Sequence, residues 1–152
     1  MIILGIDPGY AIVGYGVIEF KSNRFSVVDY GAITTNAGTP FERRLELIYD
    51  DLNLLMGKFH PEAMSIEKLF YNTNAKTVID VAQARGVTVL AAKKNNIPIF
   101  EYTPLQVKQS VVGYGRAEKK QVQEMTRIIL KLAKIPKPDD TADALAMAIC
   151  HA

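Results

Sequence analysis

Apolar and polar positions fall into runs whose period changes along the chain. Residues 2–7 (IILGID) are an apolar run closing on Asp7, after which Pro8-Gly9 turns the chain, a pattern that predicts a buried strand. Residues 13–20 and 25–34 read as two more strands, joined by a hairpin at Lys21-Ser22-Asn23-Arg24. The period then switches. Phe41, Leu45, Ile48, Leu52, Leu55 and Phe59 recur at four- and three-residue steps, which marks an amphipathic helix. Thr39-Pro40-Phe41-Glu42 reads as its capping box, with proline in the first turn, and His60-Pro61 stops it. Residues 63–67 (AMSIE) form a short apolar run ending on Glu67, a buried fourth strand.

A polar stretch, Asn72-Thr73-Asn74, leads into an Ala- and Val-rich helix over 75–94, with Val78, Val81 and Ala82 toward one side. Residues 97–102 predict a fifth strand, which Pro98 consigns to an edge. Thr103-Pro104-Leu105-Gln106 is a second capping box. Gly113-Tyr114-Gly115 separates that helix from another over 117–132, and a Pro-rich break at 135–138 precedes a last helix over 140–150. The order β-β-β-α-β-α-β-α-α-α predicts an α/β fold. Its sheet has five strands and is mixed, three antiparallel then parallel, with helices on both faces. No repeat, low-complexity tract or linker interrupts residues 1–152, which are expected to form a single domain.

Composition adds little to this picture, whereas charge changes it. Apolar residues make up 49% and charged residues 22%, an ordinary globular balance that argues against a disordered chain. No apolar run approaches the roughly 18 residues that span a bilayer, and the start lacks the basic flank of a signal peptide. The single cysteine, Cys150, allows no internal disulfide and fits a reducing compartment. The net charge of +2 hides an asymmetry. Residues 1–67 carry 5 basic and 9 acidic side chains, whereas residues 68–137 carry 13 basic and 4 acidic. A basic middle segment points to a polyanion partner; a set of solvated helix faces is the plainer alternative.

Acids at element ends are the candidate chemistry. Asp7 ends the first strand, Glu67 ends the fourth, and Asp140 and Asp143 share one face at the start of the last helix. If the first and fourth strands are neighbours, the two strand-end carboxylates lie side by side and repel. Divalent cations relieve that repulsion. Oxygen ligands without a Cys or His cluster suit Mg²⁺ or Mn²⁺ rather than Zn²⁺. Each acid also has a structural explanation. Asp7 is a good turn residue before Pro-Gly, Glu67 has Lys68 and Arg85 as potential ion-pair partners, and Asp140 with Asp143 matches an N-cap and its N3 acid.

Together the motifs resemble a known family. Gly5-Ile6-Asp7-Pro8-Gly9, Gly14-Tyr15-Gly16, Ile66-Glu67, Gln83-Ala84-Arg85-Gly86, Gln106-Val107-Lys108-Gln109, Val111-Val112-Gly113, Ala117-Glu118-Lys119 and Asp140-Thr141-Ala142-Asp143-Ala144-Leu145 follow one another in the order and spacing of RuvC. That family comprises the bacterial Holliday-junction resolvases, crossover junction endodeoxyribonucleases of the RNase H-like superfamily. Each motif is weak alone; the ordered set, from residue 2 to about 151, is specific. The resemblance implies an RNase H-like nuclease domain that nicks two opposed strands of four-way junction DNA as a homodimer. Its use in recombination and repair, beside a branch-migration motor of the RuvA–RuvB type, is implied with it. A bacterial cytoplasmic, nucleoid-associated location is expected and no membrane partner.

The family's four catalytic, metal-binding carboxylates fall on Asp7, Glu67, Asp140 and Asp143, implying two Mg²⁺ per site with Mn²⁺ as a substitute. Asp139 rivals Asp140 for the third place; the i,i+3 relation to Asp143 favours Asp140, with Asp139 as a helix cap. The family's base-stacking aromatic falls on Phe70, with Tyr71 beside it, and its DNA-contacting lysines fall on Lys108 and Lys119. Arg116 and Lys120 are added as DNA contacts on composition. Core packing for the aromatics and solvated surface for the cations are the alternatives. The helix over 75–94 resembles the family's dimer helix. Members of the family continue past the last helix with a basic tail, whereas this sequence runs to His151-Ala152, which leaves a tail's part in binding open. Two other functions compete: a non-catalytic junction-binding module of the same fold, and a phosphate-binding ATPase or kinase fragment of the actin-like class.

Overall fold

The computed structural model describes residues 1–9, 11–68 and 75–152. Its elements are β1 (Ile2–Asp7), β2 (Ile12–Lys21), β3 (Arg24–Thr34), α1 (Phe41–Phe59), β4 (Ala63–Glu67), α2 (Ala75–Lys94), β5 (Ile99–Tyr102), α3 (Pro104–Val112), α4 (Lys119–Ile129) and α5 (Asp139–His151). The strands form one sheet in the order β3-β2-β1-β4-β5. β1 and β3 pair antiparallel to β2, while β4 pairs parallel to β1 and β5 parallel to β4. This is the mixed sheet expected. The β2–β3 hairpin turns through Ser22 and Asn23, both at positive φ, the backbone of a two-residue turn whose twist suits the flanking strands. No helix is long and apolar enough to cross a membrane among the described residues.

Alternation along the strands sorts side chains onto two faces. Leu4, Ile6, Val13, Val17, Met64 and Ile66 pack against α1 and α2 through Ile48, Leu52, Met56, Ala84 and Ala91. Ile3 and Ile18 lie on the opposite face with Val107, Val111, Val122, Leu145 and Met147 of α3, α4 and α5. Helices therefore cover both faces, as expected. On α2 the side that reaches the core is Ala84, Thr88, Ala91 and Ala92, whereas Val78, Val81 and Ala82 are only half-buried.

The two predicted capping boxes have different fates. At α3 the Gln106 N–H donates to Thr103 Oγ1 at 3.1 Å and the Thr103 N–H to Gln106 Oε1 at 2.8 Å. At α1 there is no such box: the N-cap is Pro40 and no side chain caps the helix. Thr39 is engaged in the preceding turn, its N–H donating to the Asn36 carbonyl at 3.0 Å, so the helix starts one residue later. Thr103→Ala should therefore cost about 1 kcal/mol in urea unfolding. Thr39→Ala should stay within about 0.5 kcal/mol of the parent, as surface changes do.

Other boundaries also shift for local reasons. β5 begins at Ile99 rather than 97, since Pro98 has no N–H and contributes only its carbonyl, to the Met64 N–H at 2.9 Å. β5 is an edge strand, as Pro98 predicted. α4 is shorter than 117–132 because Glu118 and Gln121 form a capping box, and Lys131 at φ 56° ends the helical path. α5 begins at Asp139, with Pro138 as N-cap.

Candidate active site

The strand register decides where the first two acids go. β1 and β4 run side by side with Ile6 opposite Ile66, so Asp7 and Glu67 come one step later on adjacent parallel strands. Ile6 and Ile66 face α1 and α2, so by alternation both carboxylates project from the other face, toward α5.

The helix that meets them lies unusually close to the sheet. A Cβ at Gly5 would stand 2.0 Å from the Ala144 carbonyl oxygen, one at Gly14 would stand 2.1 Å from that of Asp140, and one at Gly16 would stand 2.5 Å from Leu145 Cδ2. Gly5 pairs with Gly16 and Asp7 with Gly14, so these three glycines make a bare strip across β1 and β2 on which α5 rests. Ser65 Oγ donates to the Met147 carbonyl at 2.6 Å and Thr141 Oγ1 to the Gly31 carbonyl at 3.0 Å, pinning the helix from either side. The first turn of α5 thereby reaches Asp7. Asp7, Asp140 and Asp143 each bring a carboxylate oxygen within 4.8 Å of the others.

Like charges held this close raise one another's proton affinity. Burial first, then a hydrogen bond with Asp140 and the charges of Asp143, Asp140 and Glu67, push Asp7 up to about 9. Glu67 is raised by burial and then by Asp143. Asp143 is raised by burial, against a lowering pull from Lys119. Lys119 is the one cation paired with any of the four carboxylates among the described residues; its Nζ lies 3.8 Å from Asp143 Oδ2 and 3.5 Å from Asp139 Oδ2. Asp143 in turn raises Lys119, as a neighbouring anion should.

Two of the alternative roles, the N-cap pair and the Glu67–Arg85 ion pair, are not realised. Asp140 and Asp143 do not form an N-cap pair, because Pro138 occupies the N-cap position and no side chain caps the helix. Asp139 is likewise not a cap. It faces Lys137, 3.3 Å away, and Lys119, and Lys137 first of all holds its carboxyl below the usual range. Arg85 pairs with Glu101 instead of the Glu67 carboxylate.

A cleft of about 280 Å³ opens over Asp7, Glu67 and Asp143, and Lys108 of α3 and Lys119 stand in its lining. Val107, Val122 and Met147 give it an apolar wall that the sequence did not single out. Arg116 and Lys120 are exposed and lie outside that lining. Phe70 and Tyr71 lie outside the described residues. The donor set is all oxygen, half-buried and mutually repulsive, which fits a hard divalent cation. Such a cation, when bound, supplies Lewis-acid stabilisation to a phosphodiester undergoing hydrolysis.

The model of the family described as crossover junction endodeoxyribonuclease RuvC matches residues 3–151. The chain belongs to the RuvC family. A RuvC of Ruminiclostridium cellulolyticum, named crossover junction endodeoxyribonuclease, is 64% identical over 99% of this chain and 91% of its own length. The Thermus thermophilus RuvC structure superposes with a TM-score of 0.92 at 32% identity, covering 99% of this chain and 93% of that one. T. thermophilus RuvC in complex with a Holliday junction substrate gives 0.91 at 30% identity, over 99% and 92%. RuvC membership sets aside the actin-like reading. The sequence carried a cue to the glycine strip in Gly14-x-Gly16, which leaves one face of β2 bare. Glycines two apart within a strand signal close backbone approach, the cue that could have revealed the strip from sequence.

Proposed function

We infer that this chain is a structure-selective endonuclease that resolves four-way DNA junctions by paired, symmetric nicks. One observation carries the reading: carboxylates from β1 and α5, with Glu67 of β4 beside them, converge in a cleft whose cationic edge is Lys108 and Lys119. Asp7, Glu67, Asp140 and Asp143 hold Mg²⁺, two ions per site, with Mn²⁺ as a substitute. Lys108 and Lys119, at the edge of the cleft, grip DNA phosphates. Phe70 and Tyr71 stack on unpaired bases near the crossover, and Arg116 and Lys120 extend the phosphate grip.

A homodimer through α2 matches two cuts to a two-fold junction. The outward face of α2 supports this, with Ile79 59% and Leu90 52% exposed on either side of the exposed Gly86. A branch-migration motor of the RuvA–RuvB type is the partner that presents the junction, in the bacterial cytoplasm.

The test is incubation with a synthetic four-way junction and a linear duplex, with and without Mg²⁺. Symmetric nicks on the junction, dependent on the metal, are expected. Equal cutting of both substrates, or cutting in EDTA, would refute the assignment. Junction affinity should also fall steeply as salt rises, since each phosphate contact releases counterions.

A further inference from the structure

Arg85 stands outside the acidic set, yet it grips the strand end that carries Glu67. From α2, its Nε donates to the Glu67 carbonyl oxygen at 3.3 Å, while its terminal nitrogen pairs with the Glu101 carboxylate of β5. Its side chain is only 16% exposed, against 48% for Glu101. The position matters because Glu67 is the last residue of β4. The bonds from β4 to β5 flank Glu67: the Lys68 N–H donates to the Tyr102 carbonyl, as the Met64 N–H does to that of Pro98. By alternation the Glu67 carbonyl points to the β1 side, where pairing ends at Ile66 and Pro8 has no N–H to donate. Arg85 supplies the missing restraint and ties β4, β5 and α2 together at that point. A guanidinium can do this because its N–H groups point in fixed directions within one plane; an ammonium cannot hold both partners in the same way.

We propose that Arg85 is a positioning residue: by fixing the Glu67 peptide it sets the Glu67 carboxylate against Asp7 for cation binding. The proposal rests on the reading of the four acids as a divalent-cation site. A direct DNA contact explains Arg85 less well, since Glu101 already neutralises it and it is absent from the lining of the cleft.

Mn²⁺ titration of the full chain by calorimetry, without DNA, tests this. The parent, Arg85→Lys and Arg85→Gln are compared, each also in a Glu67→Gln background, where Asp7, Asp140 and Asp143 remain to bind. Losing a group that orients a ligand weakens metal binding about tenfold. Both Arg85 variants should show that loss while binding a four-way junction in EDTA within about twofold of the parent. In the Glu67→Gln background they should cause no further loss. Parent-like Mn²⁺ affinity in the variants would overturn the proposal, as would the same tenfold loss without Glu67, which marks general loosening. Should Arg85→Gln fail to fold, Arg85→Lys and Glu101→Gln decide on the same criteria. A parent that takes up no Mn²⁺ sinks the cation-site reading itself, an outcome distinct from unaltered variants.

Discussion

Asp7→Asn should abolish junction cleavage, leave junction binding intact, and make the metal-free protein more stable. The loss of cleavage follows from removing the acid at the centre of the cluster, whose oxygen lies within 4.8 Å of those of Asp140 and Asp143. Lewis-acid stabilisation is worth several kcal/mol and each ~1.4 kcal/mol is tenfold, so nicking should fall by at least ~10³-fold. The gain in stability follows from the proton. Unfolded Asp7 ionises near 3.8, whereas the folded protein keeps the proton until about 9. Between those values the folded state binds more protons, so stability falls as pH rises. Asp7's contribution is fully present below 3.8 and lost by about 9.

Metal-free parent protein should therefore melt at progressively lower temperature from pH 5 to pH 9, and Asp7→Asn should flatten that decline. At pH 8 the variant should be more stable by about 2 kcal/mol, roughly a 5 °C rise in Tm, a trade of stability for activity common at active sites. Scanning calorimetry in EDTA measures this directly. A parent profile that is flat or rises over that range would show that the carboxylates do not strain the fold.

Gly14→Ala should impair the same site from beneath. Its new Cβ would fall 2.1 Å from the Asp140 carbonyl oxygen and 2.9 Å from Asp140 Cβ, so the first turn of α5 must lift. A displacement of roughly 1 Å at reacting groups can cost about 10²-fold, and that loss of nicking is expected together with about 1–3 kcal/mol of stability from overpacking. Gly5→Ala meets backbone in mid-helix, 2.0 Å from the Ala144 oxygen and 2.8 Å from the Ala148 nitrogen, where no free end can yield. Its stability loss should exceed that of Gly14→Ala. Gly57→Ala is the control: nothing lies within 4 Å of its added Cβ, and within α1 alanine should gain about 0.5–1 kcal/mol. Nicking rates and urea midpoints of the three variants, measured together, check the strip. Equal rates across them would show that α5 does not need it.

Local patterns in the sequence determined the elements themselves. Apolar runs closing on Asp7 and Glu67 placed both acids at strand ends, and the four- and three-residue steps of Phe41 through Phe59 gave α1. Pro98 placed β5 at an edge, and Thr103 with Gln106 gave a real cap. These signals are legible because propensity, turn chemistry and periodicity act over a few residues. Thr39 shows the limit, since the same four-residue signature fails when the preceding turn claims its backbone.

Tertiary structure decided what local pattern could not. That β4 pairs with β1, bringing Glu67 beside Asp7, depends on contacts between residues far apart in the chain. Whether Asp139 or Asp140 faces Asp7 depends on how α5 rotates over Gly5, Gly14 and Gly16, and on Lys137 and Lys119 drawing Asp139 away. Arg85 reaching the Glu67 carbonyl rather than its carboxylate is likewise a matter of how α2 docks. Strand pairing and helix docking are settled by burial summed over the whole core, a quantity that no short window of sequence contains.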